Sequence, residues 1–478
     1  MGYAFNLCKS ILLLLEFMCN HPWEGFLMKH KNSFLLTVCS LAVPVALQSM
    51  LQASFGVIDQ IMIGQLGSVS VAGVGLAGKF SSVYSVVVSA VGAVAGIMLS
   101  QYLGQKNSRE VRRSFRINLL ASLLTAAVFT LLCVSLPRQI MSLYTQEAAT
   151  LSAAASYLFI TAWTFLPMAG AVMLSTLFRC TERARLPLYA SIASAFVNTG
   201  LNYVLIFGKL GFPHMGAEGA AIATVISQWT NFALMLIMAA KCRALTKKDM
   251  SSGAEAVKFN WKQYGAMLAP ILVCEVVWSL GENVYAAVYG HMGTGSSAAM
   301  TLINPVQSLV IGALCGLSQA AGVIIGKSLG SKDYESAYSA SKKLLVYGLV
   351  GSCILSAAVV AISPFYAEIY QVENSVKILT SHILIAYALI APFKVLNMIL
   401  SGGILRSGGK TKYVMVIDLI GTWGFGVPLS LISAFVLKLS IPYVYFLLSL
   451  EECIRFVISL AVFRRKKWMN SLEAGRQE

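Results

Sequence analysis

Gln48, Gln52 and Asp59 stand four and seven residues apart inside an apolar run that begins near Ser33 and breaks at Gly64. At 3.6 residues per turn they share one helical face. Asn198 and Asn202, one turn apart, carry two amides in another apolar run that ends at Gly208. At 1.5 Å per residue Asp59 lies roughly 8–12 Å below the Gly64 end, and the two asparagines reach a comparable depth. A carboxylate inside hydrocarbon is costly and marks a use. Two chemistries suit this set: oxygen ligands holding Na⁺, or a desolvated carboxyl that takes up and releases a proton. Thr224, in AAIATVIS, is a further candidate ligand. The plainer reading is an interfacial Asp bonded to a helix end.

A second group is acidic and aromatic. Glu275, Ser279 and Glu282 share a face, with Trp278 and Asn283 beside it. Carboxylates at low dielectric attract cations strongly, and Trp163, Phe165, Trp278, Tyr285 and Tyr289 could stack an organic cation. Asp418 is placed to neutralise Lys410 or Arg406. Lys79 and Lys394 are embedded too, and long Lys side chains snorkel. Lys79 is deep enough to serve as a counter-ion for Asp59. Glu451, Glu452 and Arg455 are expected to pair with one another.

The elements that carry these groups follow from composition. The 478 residues are 57% hydrophobic and 12% charged, with mean hydropathy +0.73; soluble domains carry about 25% charged residues. Apolar stretches of about 20 residues, enough to cross a bilayer, recur twelve times. They lie at roughly 33–60, 70–100, 116–136, 151–177, 186–208, 216–240, 264–289, 298–326, 341–363, 378–401, 412–436 and 441–462. The runs are continuous and lack two-residue alternation, which excludes a barrel. The expected fold is an all-α membrane protein of twelve transmembrane helices.

The net charge of +16 is not a nucleic-acid signature. Of 36 Lys and Arg, 29 fall in the two termini and in alternate loops. That bias places both termini in the cytoplasm of a multi-pass inner-membrane protein, its basic loops facing anionic lipid. The ten Cys and five His form no metal-ligand spacing, so neither metal nor cofactor is expected. Residues 1–27 contain ILLLLEFMC, too short to span, and lack a clear cleavage site. Met28 is a candidate start.

A shift of 226 residues aligns Pro44 with Pro270, Gly64 with Gly290, Gly67 with Gly293, Gly96 with Gly322 and Gly104 with Gly330. No gap is needed from 44 to 106, and 12 of those 63 positions are identical. Further on, LFRCTERAR matches LRSGGKTKY and pairs Arg179 with Arg406. Two parallel six-helix halves related by an axis along the membrane normal follow, with a substrate path between them. The expected organisation is an extension at 1–32, an N-lobe at 33–240, a basic linker at 241–262, a C-lobe at 263–463 and a basic tail at 464–478.

Several pieces, in order and in both halves, carry a family resemblance: Pro44 with Asp59, GQLGS, YLGQKN, VNTGLNYVLIFG, GAEGAAIATVIS and LRSGGKTKYVMVIDLIGTWGFGVPLS. Over about residues 33–465 the chain resembles the multidrug and toxic compound extrusion (MATE) family, in a superfamily that includes polysaccharide flippases. The resemblance implies a V-shaped, twelve-helix, ion-coupled antiporter that expels cationic amphipathic drugs, rather than an enzyme. It implies a cation-coupling site, H⁺ or Na⁺, among Asp59, Asn198, Asn202 and Thr224. Asn202 departs from members with a second Asp there, which leans towards H⁺. Substrate contacts are expected at Gln52, Glu275, Trp278, Glu282, Asn283 and Tyr285, the last at the repeat position of Asp59. The expected partners are small organic cations and the bilayer, with no nucleic acid, and the chain is expected to be a monomer. The alternative substrate is a lipid-linked saccharide, but its diphosphate needs a basic cavity, whereas Asp59, Glu275, Glu282 and Asp418 outnumber Lys79 and Lys394.

Overall fold

The structure, a computed structural model, describes residues 34–242, 259–370 and 372–472. Expectations for the N-terminal extension, most of the linker and the end of the tail lie outside the described residues. Twelve long helices carry most of the described residues: α1 Phe34–Gly64, α2 Ser68–Gly104, α3 Ser108–Ser135, α4 Ala148–Cys180, α5 Arg185–Phe207 and α6 Gly216–Lys241, then α7 Trp261–His291, α8 Thr294–Gly330, α9 Tyr334–Tyr366, α10 Asn374–Leu405, α11 Thr411–Val436 and α12 Ile441–Arg464. No strand occurs among the described residues. The first eleven are long and apolar enough to cross a membrane. The twelfth carries Glu451, Glu452 and Arg455, and all three are buried. In hydrocarbon a backbone must satisfy its own polar groups, which the helix does within one segment.

Several helices run past their apolar stretches because polar caps continue them. Asn107 accepts from the Glu110 N–H at 3.2 Å, and its repeat partner Asp333 accepts from the Ser336 N–H at 3.0 Å. Hydrogen bonds from Ser336 hold the exposed Asp333 carboxyl below its ordinary range. Each cap follows a left-handed lysine, Lys106 at φ 55° and Lys332 at φ 61°. Gly67 and Gly293 open α2 and α8 at φ 91° and 107°, where a side chain would be strained. Pro44, Pro270 and Pro392 lie inside helices. In α4 a tight three-residue turn at Ala162–Thr164 precedes Pro167.

The same neighbours recur in the two halves of the chain. α1 packs on α5, α5 on α6, α6 on α4, and α4 on both α2 and α3; α7–α11, α11–α12, α12–α10, α10–α8 and α10–α9 repeat that pattern. Contact between the halves runs chiefly through α1 with α8, α2 with α8 and α2 with α7. At the basic end α2 and α8 touch backbone to backbone. A Cβ on Gly104 would strike the Lys327 carbonyl, and one on Gly330 would strike the Gln101 carbonyl. A short strap after α12 seals the same end. Leu472 N–H donates to Gln101 Oε1 at 2.6 Å, and Gln101 Nε2 donates to the Ser407 carbonyl at 2.6 Å. Trp468, fully buried, stacks near Phe463 with ring centroids 5.7 Å apart.

The crossing gives a direct test. Gly104→Ala drives a methyl group into backbone that cannot rotate away, at a cost of about 1–3 kcal/mol. Gly290→Ala meets open space in its helix and serves as control. Thermal unfolding in detergent should show a lower Tm for the first and no loss for the second. An unchanged Tm for Gly104→Ala would mean that the two helices do not bear on each other there.

Candidate functional site

Three helices build the first site. α1 brings Asp59, α5 brings Asn198 and Asn202, and α6 brings Thr224. Asn202 Nδ2 donates to Asp59 Oδ1 at 2.6 Å. The Asn198 amide presents one terminal atom to the same carboxyl, 2.9 Å from Oδ1 and 3.0 Å from Oδ2. Against an ionised carboxylate that atom is the NH₂, donating; against a protonated carboxyl it is the oxygen, accepting. With the oxygen inward, Asn198 Nδ2 reaches Thr224 Oγ1 at 3.5 Å and Asn198 Oδ1 accepts from Asn202 at 3.3 Å. Asn202 is 1% exposed, yet its Oδ1 has no partner. An orphaned buried oxygen beside a carboxylate is a natural cation ligand.

The rest of the predicted α1 face does not join this cluster. Gln48 Nε2 donates to Ser191 Oγ at 2.9 Å, and Gln52 is exposed. Lys79 is exposed too, and among the described residues no ion pair joins it to Asp59. Tyr157 on α4 packs against the cluster of Ile63, Ile206 and Ala220 in the same half. A lone tyrosine in an apolar run gives no periodic signal to find it by.

The second half holds a cavity of about 270 Å³ whose lining includes Glu282, Tyr285, Lys394, Glu451 and Glu452. Tyr285 donates to Glu451 Oε2 at 2.7 Å, and Asn397 Nδ2 donates to Glu452 Oε2 at 2.8 Å. The expected pairing of Arg455 with Glu451 and Glu452 is present, at 4.0 and 3.6 Å, but the expectation for Asp418 changes. Arg455 lies 3.6 Å from Glu452, but its shortest contact is to Asp418 on α11, 2.6 Å away. Asp418 is thus matched by Arg455, not by Lys410 or Arg406. The backbone explains the approach. α11 widens into i→i+5 turns at Ile420–Gly426, a distortion frequent at functional sites. Within it Gly421 lies against the Arg455 side chain, and Gly426 against the Tyr285 hydroxyl and Glu451 carboxylate. The run GTWGFG was the available signal.

Of the other predicted contacts, Glu275 lies 3.7 Å from Arg406 and outside this cavity. Trp278 is exposed. Asn283, also exposed, donates to the Ser279 carbonyl on its own helix at 2.7 Å.

Comparison with known proteins agrees with this architecture. The family model described as MatE matches residues 44–204 and 270–432. A probable multidrug resistance protein NorM of Bradyrhizobium diazoefficiens is 27% identical over 447 residues, spanning 89% of this chain and 92% of its own. An uncharacterized transporter, YisQ of Bacillus subtilis, is 22% identical over 90% of this chain and 94% of its own. Among solved structures, the Vibrio cholerae MATE transporter VcmN in its bent form superposes with a TM-score of 0.80 at 16% identity, covering 91% of this chain and 98% of that one.

Proposed function

Because the chain belongs to the MatE family and is a multi-pass membrane transporter, we propose that it is a secondary antiporter that exports organic cations in exchange for H⁺. The Asp59–Asn198–Asn202 cluster carries this reading. Proton uptake neutralises the carboxyl and lets the Asn198 amide turn its oxygen inward; release demands the opposite orientation. Either state changes how α1 is held against α5, and α1 is also a main contact with α8. An ion-driven change at Asp59 therefore reaches the seam between the halves. Two lobes would alternate about that seam, with the basic end and both termini in the cytoplasm. A path within one chain needs no second copy, so a monomer suffices. The unpartnered Asn202 Oδ1 supports Na⁺ as a second reading for the driving ion.

For the substrate, the second-half cavity sets Glu282, Glu451 and Glu452 against Lys394. That balance favours a cation over a lipid-linked diphosphate. NorM-type relatives described as multidrug resistance proteins support an amphipathic drug-like cargo. Ethidium efflux from everted vesicles, driven by an imposed pH gradient or an imposed Na⁺ gradient, tests the proposal. A response to neither gradient would sink it. In the same assay Glu282→Gln should weaken export of a permanent cation more than of a neutral compound. Glu275→Gln should not show that selectivity, since its carboxylate faces Arg406 instead.

A further inference from the structure

A second cavity, of about 300 Å³, lies between the halves at the basic end, walled by α2, α4, α8 and α10. Its two sides are built alike. Gly96 and its repeat partner Gly322 both line it, and so do Arg179 and its repeat partner Arg406. Arg179 Nη1 donates to Gln319 Oε1 at 3.1 Å and its Nε to the Ser175 carbonyl at 3.3 Å. These partners are neutral, and among the described residues no carboxylate lies within ion-pair distance of Arg179. Among the described residues Arg406 pairs only with Glu275, at 3.7 Å, and its Nε is buried without a partner. Glu275 does not line the cavity.

Among the described residues Arg406 thus has one carboxylate in reach and Arg179 has none. A cation held partly out of water without a counter-charge is costly, and it is relieved by an anion. Guanidinium forks match the planar oxygens of carboxylate and phosphate. The glycines at 96 and 322 leave room for a ligand to approach the backbone.

We propose that this cavity binds an oxyanion group, carboxylate or phosphate, carried by the transported molecule. The inference rests on the chain being an exporter of organic ions, but not on which ion drives it.

Rhodamine 110, a free acid, and rhodamine 123, its methyl ester, differ at the group in question. Fluorescence anisotropy with the purified full chain in detergent should show the acid binding about tenfold more tightly. Arg179→Gln combined with Arg406→Gln should bring the ratio of affinities to near one while rhodamine 123 still binds. The corresponding double Lys variant should keep part of the preference. Inorganic phosphate should compete with the acid and spare the ester. Equal binding of the two dyes by the unaltered protein, or a preference that survives the double Gln change, overturns the proposal. Should the double Gln variant lose both dyes, the ratio and the phosphate competition in the unaltered protein decide. These are equilibrium measurements without a gradient, so failure of ion-driven ethidium efflux would be read separately.

Discussion

Asp59→Asn is expected to insert, fold and bind organic cations, yet to export them at a rate indifferent to the imposed ion gradient. Asn fills the same volume and keeps an oxygen for the Asn202 amide, which donates to Asp59 at 2.6 Å. It cannot ionise, so it copies the protonated state permanently. Efflux in everted vesicles should fall to the level seen without a gradient, whether H⁺ or Na⁺ is the driver. Asn198→Ala should be milder, since it removes the amide that senses the carboxyl and leaves the titrating group. Gradient-dependent efflux at the unaltered rate in Asp59→Asn would reduce Asp59 to an interfacial residue and move the coupling ion to the second half.

Arg455→Gln is expected to be the most damaging single change to stability. Arg455 is 9% exposed and stands among Asp418, Glu452 and Glu451. Removing it leaves several buried carboxylates with one fewer cation among them, and losing one partner of such a set costs about 3–5 kcal/mol. A large fall in thermal stability and in membrane yield should follow. Asp418→Asn on the same background should recover part of the loss, because one uncompensated charge goes with it. A single Arg455→Gln variant with unaltered melting would mean that water or lipid headgroups reach the cluster.

The helices were legible because hydrocarbon imposes one rule on every segment, and apolar runs of sufficient length declare themselves. The Asp59 cluster was partly legible for a related reason. Its members sit on helical faces at fixed spacing, and their depth follows from rise per residue. Neither argument says how a neighbouring helix is rotated. That rotation sends Gln48 to Ser191 and leaves Gln52 outside, although both share the face of Asp59. The charged groups of the second half were hardest to read. Asp418 meets Arg455 only because wide turns and glycines at 421 and 426 let the side chains in. A helix drawn with regular spacing would not bring them together, so i,i+3 and i,i+4 pairs within α12 looked sufficient. Glu275 and Arg406 meet by the reach of their side chains, 3.7 Å apart, which no helical spacing foretells.

The crossing of α2 and α8 also bears on ancestry. Gly104 abuts the carbonyl of residue 327, and Gly330 abuts the carbonyl of residue 101. Since 101 and 327 are themselves repeat partners, each contact is the other seen from the opposite side. Residue i touching j while j touches i is the rule of an isologous interface between two identical subunits. The joint is therefore built like that of a homodimer whose protomers have been fused into one chain. Fusion frees each copy to change alone. Asp59 faces its asparagines in one half, while Tyr285, its counterpart, serves a glutamate in the other. Two identical subunits would have had to carry both arrangements or neither. One chain can divide the labour and still keep a symmetric joint.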